Sequence, residues 1–343
     1  MKRKVAVLFG GQSTEHEVSR VSASSVLRHI DQSKYDIYPI GITKDGKWFE
    51  YSGKIDNIEN GDWERDEFHK SPNGEKVVFN KEVEVVFPVL HGQFGEDGTV
   101  QGLCKLLNIP CVGPGVMSSA LCMDKIYTKY ILEHAGIKQA DYVVITSYDY
   151  DTSKDEYIKK IEEKLGYPVF VKPSNSGSSV GITKAHNREE LEGGLKEALK
   201  HDRKILIEEG LNAREIEVAV LGNDNPKASI PGEIIPAKEF YDYEAKYQNA
   251  ASKLLIPAAL DEKKLDFIRE QSVKIYKSLD CAGMARVDFL VDKDTEEVYL
   301  NEVNTIPGFT SISMYPKMWE ATGLSYSNLI SELIEFAVER NNR

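Results

Sequence analysis

The chain lacks most of the marks of secreted, membrane and nucleic-acid-binding proteins. Only four of its 343 residues are cysteine, and their spacing is neither that of a CxxC pair nor that of a zinc site. No apolar run approaches a membrane span, and the run after Met1–Lys4 stops after five residues, too short for a signal peptide. The net charge of −12 disfavours a broad surface for nucleic acid or anionic lipid. We therefore expect a cytoplasmic protein with reduced thiols that binds neither nucleic acid nor membrane.

Two common nucleotide-binding motifs are also missing. The sequence has no Gly-x-x-x-x-Gly-Lys-Ser/Thr, which excludes a Walker-type phosphate loop, and no Gly-x-Gly-x-x-Gly, which argues against the usual mode of nicotinamide binding. An anionic ligand must then be held by a local cluster of bases. What is present is the composition of a soluble globular protein, 41% hydrophobic and 29% charged, in a chain long enough for two or three domains.

The first third of the chain alternates between strands and helices. Residues 4–9 are an apolar run, a helix follows the glycine turn after it, and residues 36–42 have the pattern of a second strand. A strand, helix, strand unit implies a parallel sheet, which residues 83–90 extend with a third strand. Residues 52–82 are polar and irregular, and we interpret them as a long peripheral insertion.

After a boundary near Gly113–Gly115 the pattern changes to that of a smaller unit. Residues 169–173 and 180–184 are predicted strands on either side of a loop of small residues, and residues 204–209 form a further strand. The chain ends in an amphipathic helix near residues 324–340. The apolar side chains of this helix recur at helical spacing and are Leu329, Ile330, Leu333, Ile334 and Ala337.

Three oxygen-bearing side chains share one face of a predicted β-hairpin. Residues 285–291 and 298–304 both have the pattern of strands, joined by a charged turn. If the hairpin folds about the middle of that turn, Asp288 lies opposite Glu302, and the two-residue repeat of a strand places Asn304 on the same face. Crowded carboxylates and an amide are oxygen ligands that suit Mg2+. The alternative is a solvated hairpin with ordinary surface acids.

The loop of small residues at 174–179 is a second candidate. Its backbone N–H groups and hydroxyls would wrap an anion, and Lys172 would add a point charge for phosphate. For the loop alone, a tight hairpin connection is the alternative. In combination with the metal ligands, the loop indicates nucleotide phosphates coordinated to Mg2+.

Three further positions carry weaker signals. Glu15 lies in the first turn of a helix, where it would bind a substrate ammonium group or simply stabilise the helix dipole. His91 follows a parallel strand, at the edge where open α/β sheets place their sites, although a lone histidine is more often structural. The aromatic segment 240–247 would close over a site and exclude water, or form a packed surface loop.

Five of these segments occur in the order seen in one known family. They are His91–Gly98, Lys172–Gly181, Tyr241–Tyr247, Ala285–Asp288 and Asn301–Gly308. With them the chain resembles the D-alanine:D-alanine ligases of the ATP-grasp superfamily. The resemblance runs from about residue 4 to about residue 335, and residues 52–82 match least.

The resemblance implies an α/β fold with a three-domain ATP-grasp architecture. An N-terminal open parallel sheet would occupy residues 1–120, a small central α+β domain residues 121–211 and a C-terminal α/β domain residues 212–343. ATP would lie between the last two domains. The resemblance also implies ATP and two Mg2+ ions as cofactors, with Mn2+ as a substitute, D-alanine as substrate, and a homodimer.

The resemblance assigns roles residue by residue. The ATP contacts would be Lys125, Lys172, Ser178, Ser179, Glu208, Glu209, Leu211, Glu215 and Lys246, and the metal ligands would be Asp288, Glu302 and Asn304. The residues around the two amino acids would be Glu15, His91, Arg286, Gly308, Ser313 and Met314. The catalytic group would be Glu15, Ser178, Tyr247 and Arg286. Within that group Glu15, Ser178 and Tyr247 would form a hydrogen-bonded link that closes the site, and Arg286 would stabilise oxyanions.

The implied reaction is the ATP-dependent ligation of two D-alanines for peptidoglycan through a D-alanyl phosphate, which a closing lid would protect from water. Three alternatives stay open. In the first, the second substrate would be D-serine or D-lactate, although Tyr247 disfavours D-lactate and Met314 favours D-alanine. In the second, the chain would be an ATP-grasp ligase for another acid. In the third, it would be a nucleotide-binding module without catalysis, and the presence of Lys172, Arg286 and the metal ligands argues against this alternative.

Overall fold

The fold is seen in a computed structural model that describes residues 2–80, 82–235 and 253–342. Within these residues the strands form three sheets, each drawn from one stretch of the chain. The aromatic segment at 240–247, with Lys246 and Tyr247, lies outside the described residues. No helix in the described part of the chain combines the length and the apolarity needed to span a bilayer.

The first sheet has parallel strands at its centre and antiparallel strands at one edge. It contains β1 (Arg3–Gly10), β2 (Tyr35–Ile42), β3 (Trp48–Tyr51), β4 (Lys70–Ser71) and β5 (Val85–Pro88) in the order β4-β3-β2-β1-β5. β1 pairs in parallel with β2 and β5, and its apolar run is buried because the sheet is covered on both faces. Since α1 (His16–His29) connects β1 to β2, the predicted strand, helix, strand unit is confirmed. Three further helices complete this part: α2 (Ile55–Asn60), α3 (Gly74–Phe79) and α4 (Thr99–Leu107).

The interpretation of residues 52–82 as an irregular insertion is wrong. The segment contains α2, a 3₁₀ helix at Asp62–Arg65, β4 and α3, and β4 extends the sheet through β3. Trp63 is fully buried and meets Phe9 edge to face, with ring centroids 5.0 Å apart. A side chain at Gly41 would lie 2.4 Å from the Trp63 ring, so the indole needs a glycine there. The segment is therefore part of the core around β1.

The second sheet is antiparallel and covered by two helices. Helices α5 (Val116–Met123) and α6 (Lys125–His134) lead into it. Its strands are β6 (Tyr142–Thr146), β7 (Val169–Pro173), β8 (Thr183–Ala185) and β9 (Lys204–Glu209), in the order β6-β9-β7-β8. The helices α7 (Ser147–Leu165) and α8 (Arg188–Ala198) share its apolar core.

Two of the predicted strands in this sheet are confirmed, and one begins later than predicted. β7 and β9 match residues 169–173 and 204–209, whereas the strand predicted at 180–184 starts only at Thr183. Ser178 and Ser179 have φ of 49° and 61°, and Gly181 has φ of 73°. These left-handed conformations are incompatible with an extended strand, so the loop of small residues is longer than the sequence indicated.

The third sheet is also antiparallel and carries the predicted hairpin. Its strands are β10 (Ala213–Gly222), β11 (Lys227–Ala228), β12 (Gly232–Ile235), β13 (Lys253–Leu255), β14 (Gly283–Asp292) and β15 (Val298–Asn304). The order is β13-β12-β10-β14-β15, and β11 pairs with β10. Its helices are α9 (Glu262–Ser278), α10 (Met314–Ala321) and α11 (Tyr326–Asn341).

One apolar core joins the first and third sheets. The predicted C-terminal amphipathic helix is confirmed as α11, and its five apolar side chains are buried against strands of both sheets. Phe309, in the loop before α10, meets Phe87 of β5 edge to face, with ring centroids 6.0 Å apart. At the end of α11, Arg340 donates hydrogen bonds to the carbonyls of Gly113 and Cys111. The loops at the edge of the first sheet are thus held against the hairpin.

Candidate functional site

The hairpin places its acids where the sequence predicted. Asp288 of β14 pairs with Glu302 of β15, and Arg286 pairs with Asn304. A bulge follows, since Phe289 pairs with Leu300, so that Asn301 is the extra residue in β15. A bulge re-aims side chains locally. Without this one, the pairing of Phe289 with Leu300 would place Asn301 opposite Asp288, and the bulge places Glu302 there instead. The predicted register is confirmed.

Arg286 lies among carboxylates on this sheet. Its Nε and Nη2 donate to the two oxygens of Asp288 at 2.7 and 2.6 Å, and its Nε lies 3.2 Å from Glu217 Oε2 on β10. Asn304 Nδ2 also donates to Asp288, at 2.9 Å. Burial alone would lower the pKa of Arg286, but the charges of Asp288 and Glu217 outweigh it and hold the pKa well above its ordinary value. A fixed cation at this position suits a developing oxyanion. We call Arg286, Asp288, Glu217, Glu302 and Asn304 the hairpin cluster.

The second sheet carries the opposite arrangement, an anion between two cations. Lys129 Nζ of α6 lies 2.6 Å from Glu208 Oε1, and Lys172 Nζ of β7 lies 2.5 Å from Glu208 Oε2. Burial would raise the pKa of Glu208, but the two lysines lower it to about 2. Burial lowers the pKa of Lys172, and the charges of Glu208, Glu302 and Glu215 more than compensate. We call Lys129, Lys172 and Glu208 the lysine cluster.

The two clusters meet at one narrow cleft. Lys125, Lys129, Lys172 and Glu208 line it from the second sheet and α6, and Glu302 lines it from the hairpin. Glu302 influences both Lys172 and Arg286 electrostatically. The cleft therefore has a basic side and an acidic side, which is what a polyphosphate and its divalent cations require.

The loop at 174–179 reaches across to the start of α1. Ser178 Oγ donates a hydrogen bond to Glu15, which is buried at the N-cap position of α1. Lys125 holds the base of the loop, since its Nζ donates to the carbonyl of Ser176 at 2.6 Å. Beside this contact lies a cavity of about 480 Å³, lined among others by Gly92 and Gln93. The structure thus brings together Glu15 and Ser178, as the resemblance implied.

His91 is a structural histidine in this arrangement. Its Nδ1 donates to the carbonyl of Ile306 at 3.0 Å, and its Nε2 lies 2.9 Å from Ser22 Oγ, which in turn accepts the N–H of Phe309. That chain assigns the ring proton to Nδ1 and makes Nε2 an acceptor. Burial lowers the pKa of His91 to about 4. The hydrogen bond to the Ile306 carbonyl opposes this shift, and the charge of Arg286 adds to it. A contact between His91 and a substrate carboxylate stays a prediction.

The residues assigned to the second amino acid surround the loop before α10. Ser313 Oγ accepts the N–H of Thr310 at 3.0 Å. A Cβ at Gly308 would lie 2.8 Å from Ser313 Oγ, so the glycine allows the loop to close tightly. Met314 is buried, and its Cε would lie 2.2 Å from a Cβ at Gly232 of β12. The end of the Met314 side chain therefore packs against β12 at Gly232, and its effect on an acceptor side chain stays a prediction.

The remaining ATP assignments fall at the end of β9 and on β10. Glu209 accepts the N–H of Asp141 at 2.8 Å through its side chain, so its carboxylate ties β9 to the loop before β6. Glu215 lies on β10 and affects Lys172. Leu211 lies between the two strands, and Ser179 is next to Ser178 in the loop at 174–179. Tyr247 and Lys246 lie outside the described residues, so their roles stay predictions.

Sequence reasoning missed three residues at the site: Lys129 and Glu217, which are buried, and Glu96, which is partly buried. Glu96 accepts the N–H groups of Gly92 and Ile306, both at 2.9 Å, and so ties the His91 loop to the hairpin loop. Burial, then the nearby charge of Glu15, raises the pKa of Glu96. For Lys129 a signal existed, since it follows Lys125 by four residues on α6 and both lysines then face the same side. For Glu217 the signal was alternation along β10 beside the hairpin.

The three sheets, with an acid-bearing hairpin and a lysine cluster at one cleft, define an ATP-grasp fold. Family models described as the D-ala D-ala ligase N-terminus and C-terminus match residues 4–114 and 131–335. A D-alanine--D-alanine ligase of Clostridium acetobutylicum is 74% identical, and the match covers 100% of both chains. This chain therefore belongs to the D-alanine–D-alanine ligase family.

Solved structures show the same likeness. The structure of VanG D-Ala:D-Ser ligase from Enterococcus faecalis is 41% identical, with a TM-score of 0.88 over 98% of this chain and 100% of that chain. The structure of the D-alanine-D-alanine ligase from Coxiella burnetii is 35% identical, with a TM-score of 0.81 over 99% of this chain and 96% of that chain. The likeness therefore extends over the whole length of these proteins.

Proposed function

We propose that this chain uses ATP to join two D-alanines into D-alanyl-D-alanine for peptidoglycan synthesis, releasing ADP and phosphate. The observation that carries the proposal is the cleft that Lys125 and Lys172 share with Glu302. Bases and acids side by side suit a triphosphate and its divalent cations, because catalysis of phosphoryl transfer is largely positioning and charge stabilisation. The name shared by the relatives supports the choice of amino acid.

Asp288, Glu302 and Asn304 would hold two Mg2+ ions, and Mn2+ would substitute for them. All three offer oxygen donors on adjacent strands, as Mg2+ prefers. Asn304 points Nδ2 at Asp288, and a half-turn of the amide would present its oxygen instead. Among the described residues no group of three or more His, Cys, Asp or Glu is arranged for a metal, and the third ligand in this proposal is an amide. Bound Mg2+ would disperse the charge of the phosphate groups.

The chain's own residues would act in two steps. In the first, Lys125 and Lys172 hold the phosphates while the carboxylate of one D-alanine attacks the γ-phosphoryl group, forming D-alanyl phosphate and releasing ADP. In the second, the amine of the other D-alanine attacks the carbonyl carbon, and phosphate leaves. Arg286 would stabilise the tetrahedral oxyanion between these events, since its position is fixed by Asp288 and Glu217.

The loop at 174–179, which we call the lid loop, would exclude water during these steps. D-alanyl phosphate hydrolyses readily, so the site must close before it forms. The hydrogen bond between Ser178 and Glu15 supports such a closed state, with Glu15 also receiving the ammonium group of the first D-alanine. Tyr247 would complete the link with these two residues, and Lys246 would reach the γ-phosphate. We expect Gly308, Ser313 and Met314 to surround the second D-alanine.

A second candidate is the ligation of D-alanine to D-serine. The structural match to a D-Ala:D-Ser ligase favours it, because a pocket discriminates one hydroxyl by only about 1 to 3 kcal/mol. Met314 argues for D-alanine, since a thioether beside the second amino acid would offer no strong hydrogen-bond partner to a serine hydroxyl. We expect Tyr247→Phe to loosen closure and to permit some D-lactate as acceptor, and an unchanged acceptor profile would count against that role.

Organisation and location complete the proposal. The three sheets support domains at 1–120, 121–211 and 212–343, with the nucleotide between the last two. Four buried free cysteines and a reaction that consumes ATP support a cytoplasmic protein. We also propose a homodimer, which sedimentation velocity at several concentrations would test.

The deciding experiment is ATP-dependent phosphate release with D-alanine alone, then with D-serine or D-lactate in competition. We expect release with D-alanine alone and a D-alanyl-D-alanine product by mass spectrometry. A mixed dipeptide formed in preference to D-alanyl-D-alanine would favour the second candidate. No release with any of these amino acids would overturn both.

A further inference from the structure

Lys129 is a buried lysine to which the proposed reaction gives no role. Its side chain is 4% exposed, and Nζ lies 2.6 Å from Glu208 Oε1. The same Nζ donates to the carbonyl of Ala140 at 3.2 Å and lies 4.9 Å from the centroid of the Tyr142 ring. Gln139 Nε2 donates to the backbone carbonyl of Lys129 at 3.1 Å. The ammonium group is therefore fixed on several sides.

Glu208 has one more cation than its charge requires. Each of its oxygens is bound by a different lysine, Oε1 by Lys129 and Oε2 by Lys172. A buried carboxylate needs a compensating cation, because an unpaired charge in the interior is strongly unfavourable. One lysine satisfies that need, so the other carries a charge that can serve an incoming anion.

The surroundings of the two lysines differ in a way that identifies which one stays. Lys129 is held by Ala140 and Tyr142, while Lys172 is 16% exposed against 4% for Lys129. Lys172 also interacts electrostatically with Glu302 and Glu215, which belong to the third sheet across the cleft. Lys172 is therefore the lysine nearer the place where phosphates would enter.

We propose that Lys129 is a positioning residue that remains paired with Glu208 when nucleotide binds, so that Lys172 turns to the phosphates without leaving Glu208 uncompensated. This inference rests on the proposed binding of ATP in this cleft. Lys129 touches neither phosphate nor amino acid and acts through Glu208 and Lys172. It follows that removal of Lys129 keeps Lys172 on Glu208 and costs nucleotide affinity.

The first test is Lys129→Met, with Lys129→Arg as the charge-preserving variant. We expect Lys129→Met to raise the KM for ATP by about tenfold or more, the range of one charged hydrogen bond, with little change in kcat or in the KM for D-alanine. Lys129→Arg should recover much of the loss. Lys138→Met is the matched control, since Lys138 is a half-exposed lysine paired with Glu297 close by. A folded Lys129→Met protein with an unchanged KM for ATP would overturn the inference.

A second comparison separates this role from a merely structural one and does not depend on the folding of Lys129→Met alone. Glu208→Gln removes the charge that Lys129 compensates, so adding Lys129→Met to it should change ADP affinity by less than about threefold in calorimetric titration. A further loss of about tenfold in the double variant would overturn the inference. If the wild-type protein releases no phosphate from ATP with D-alanine, the proposed function fails instead, which is a distinct outcome.

Discussion

The hairpin cluster and the lysine cluster are built in opposite senses. In the first, the cation Arg286 lies between the carboxylates of Asp288 and Glu217; in the second, the anion Glu208 lies between Lys129 and Lys172. Each central charge preorganises its neighbours, because ion pairs in a buried setting are directional and weakly screened. One cluster then offers excess negative charge to cations, and the other offers excess positive charge to phosphates. Glu302 is where they meet.

The clusters also differ in what holds them. The hairpin cluster is set by the hydrogen-bond ladders of β10, β14 and β15, so a changed side chain leaves the backbone in place. The lysine cluster joins α6, β7 and β9, and its ion pairs are themselves part of the packing. We therefore expect changes in the first to act on catalysis and changes in the second to act on stability and nucleotide binding.

The largest effect is expected from Asp288→Asn. The change removes a proposed ligand for Mg2+ and the bidentate partner of Arg286, so kcat should fall by at least about 100-fold. Glu302→Gln should act in the same direction. Steady-state phosphate release measures both. Asp294→Asn, the same substitution at an exposed site in the hairpin turn, should leave kcat unchanged. Near wild-type turnover by Asp288→Asn would contradict the assignment of the hairpin cluster.

The second effect separates the lysine cluster from the hairpin cluster. Glu208→Gln leaves Lys129, which is buried, and Lys172, which is largely buried, without their shared partner and should lower the free energy of unfolding by about 3 kcal/mol. Urea denaturation measures it. Glu192→Gln breaks a more exposed pair with Lys154 and should cost less than about 1 kcal/mol. Equal losses in the two variants would show that the buried pairs carry no special weight.

A smaller effect is expected at Ser178, where the lid loop contacts Glu15 at the start of α1. Ser178→Ala removes the hydrogen bond to Glu15 and keeps the left-handed backbone strain at φ 49°, whereas Ser178→Gly removes the bond and relieves the strain. Both should lower kcat/KM for D-alanine by about tenfold, since a hydrogen bond to a charged group is lost. A loss in the alanine variant alone would mean that backbone conformation, and not the hydroxyl, carries the effect.

The smallest effect concerns His91, which lies outside both clusters. Its pKa of about 4 is below the ordinary 6.5, so the unfolded chain binds the proton more tightly and stability is lost as pH falls from 6.5 toward 4. Between pH 7 and pH 5.5 this contributes about 1 kcal/mol, which His91→Gln should remove from the pH dependence of the free energy of unfolding. His186→Gln, at an exposed site, should keep the wild-type slope. Identical slopes in all three proteins would contradict a buried neutral His91.

The sequence was informative wherever partners are close along the chain. Asp288 and Glu302 could be paired because a hairpin turn sets the register and side chains alternate. The strand, helix, strand opening and α11 followed from apolar periodicity in the same way. The order of motifs then supplied the family, which local patterns alone would not have done.

The remainder depends on contacts between distant segments. Trp63 is buried against Phe9 from another element, so the few apolar residues of 52–82 gave no period to detect. Lys129 meets Glu208 only because α6 packs beside the second sheet, and no spacing in the sequence encodes that distance. The tautomer of His91 likewise depends on Ile306 and Ser22, which are far apart in the sequence.

The most direct test of the account is to locate divalent ions between the hairpin cluster and the lysine cluster. Crystals grown with a non-hydrolysable ATP analogue and Mn2+ should show anomalous density beside Asp288 and Glu302, with the phosphates toward Lys172. Nucleotide bound in the cleft with no anomalous density beside these two carboxylates would contradict it.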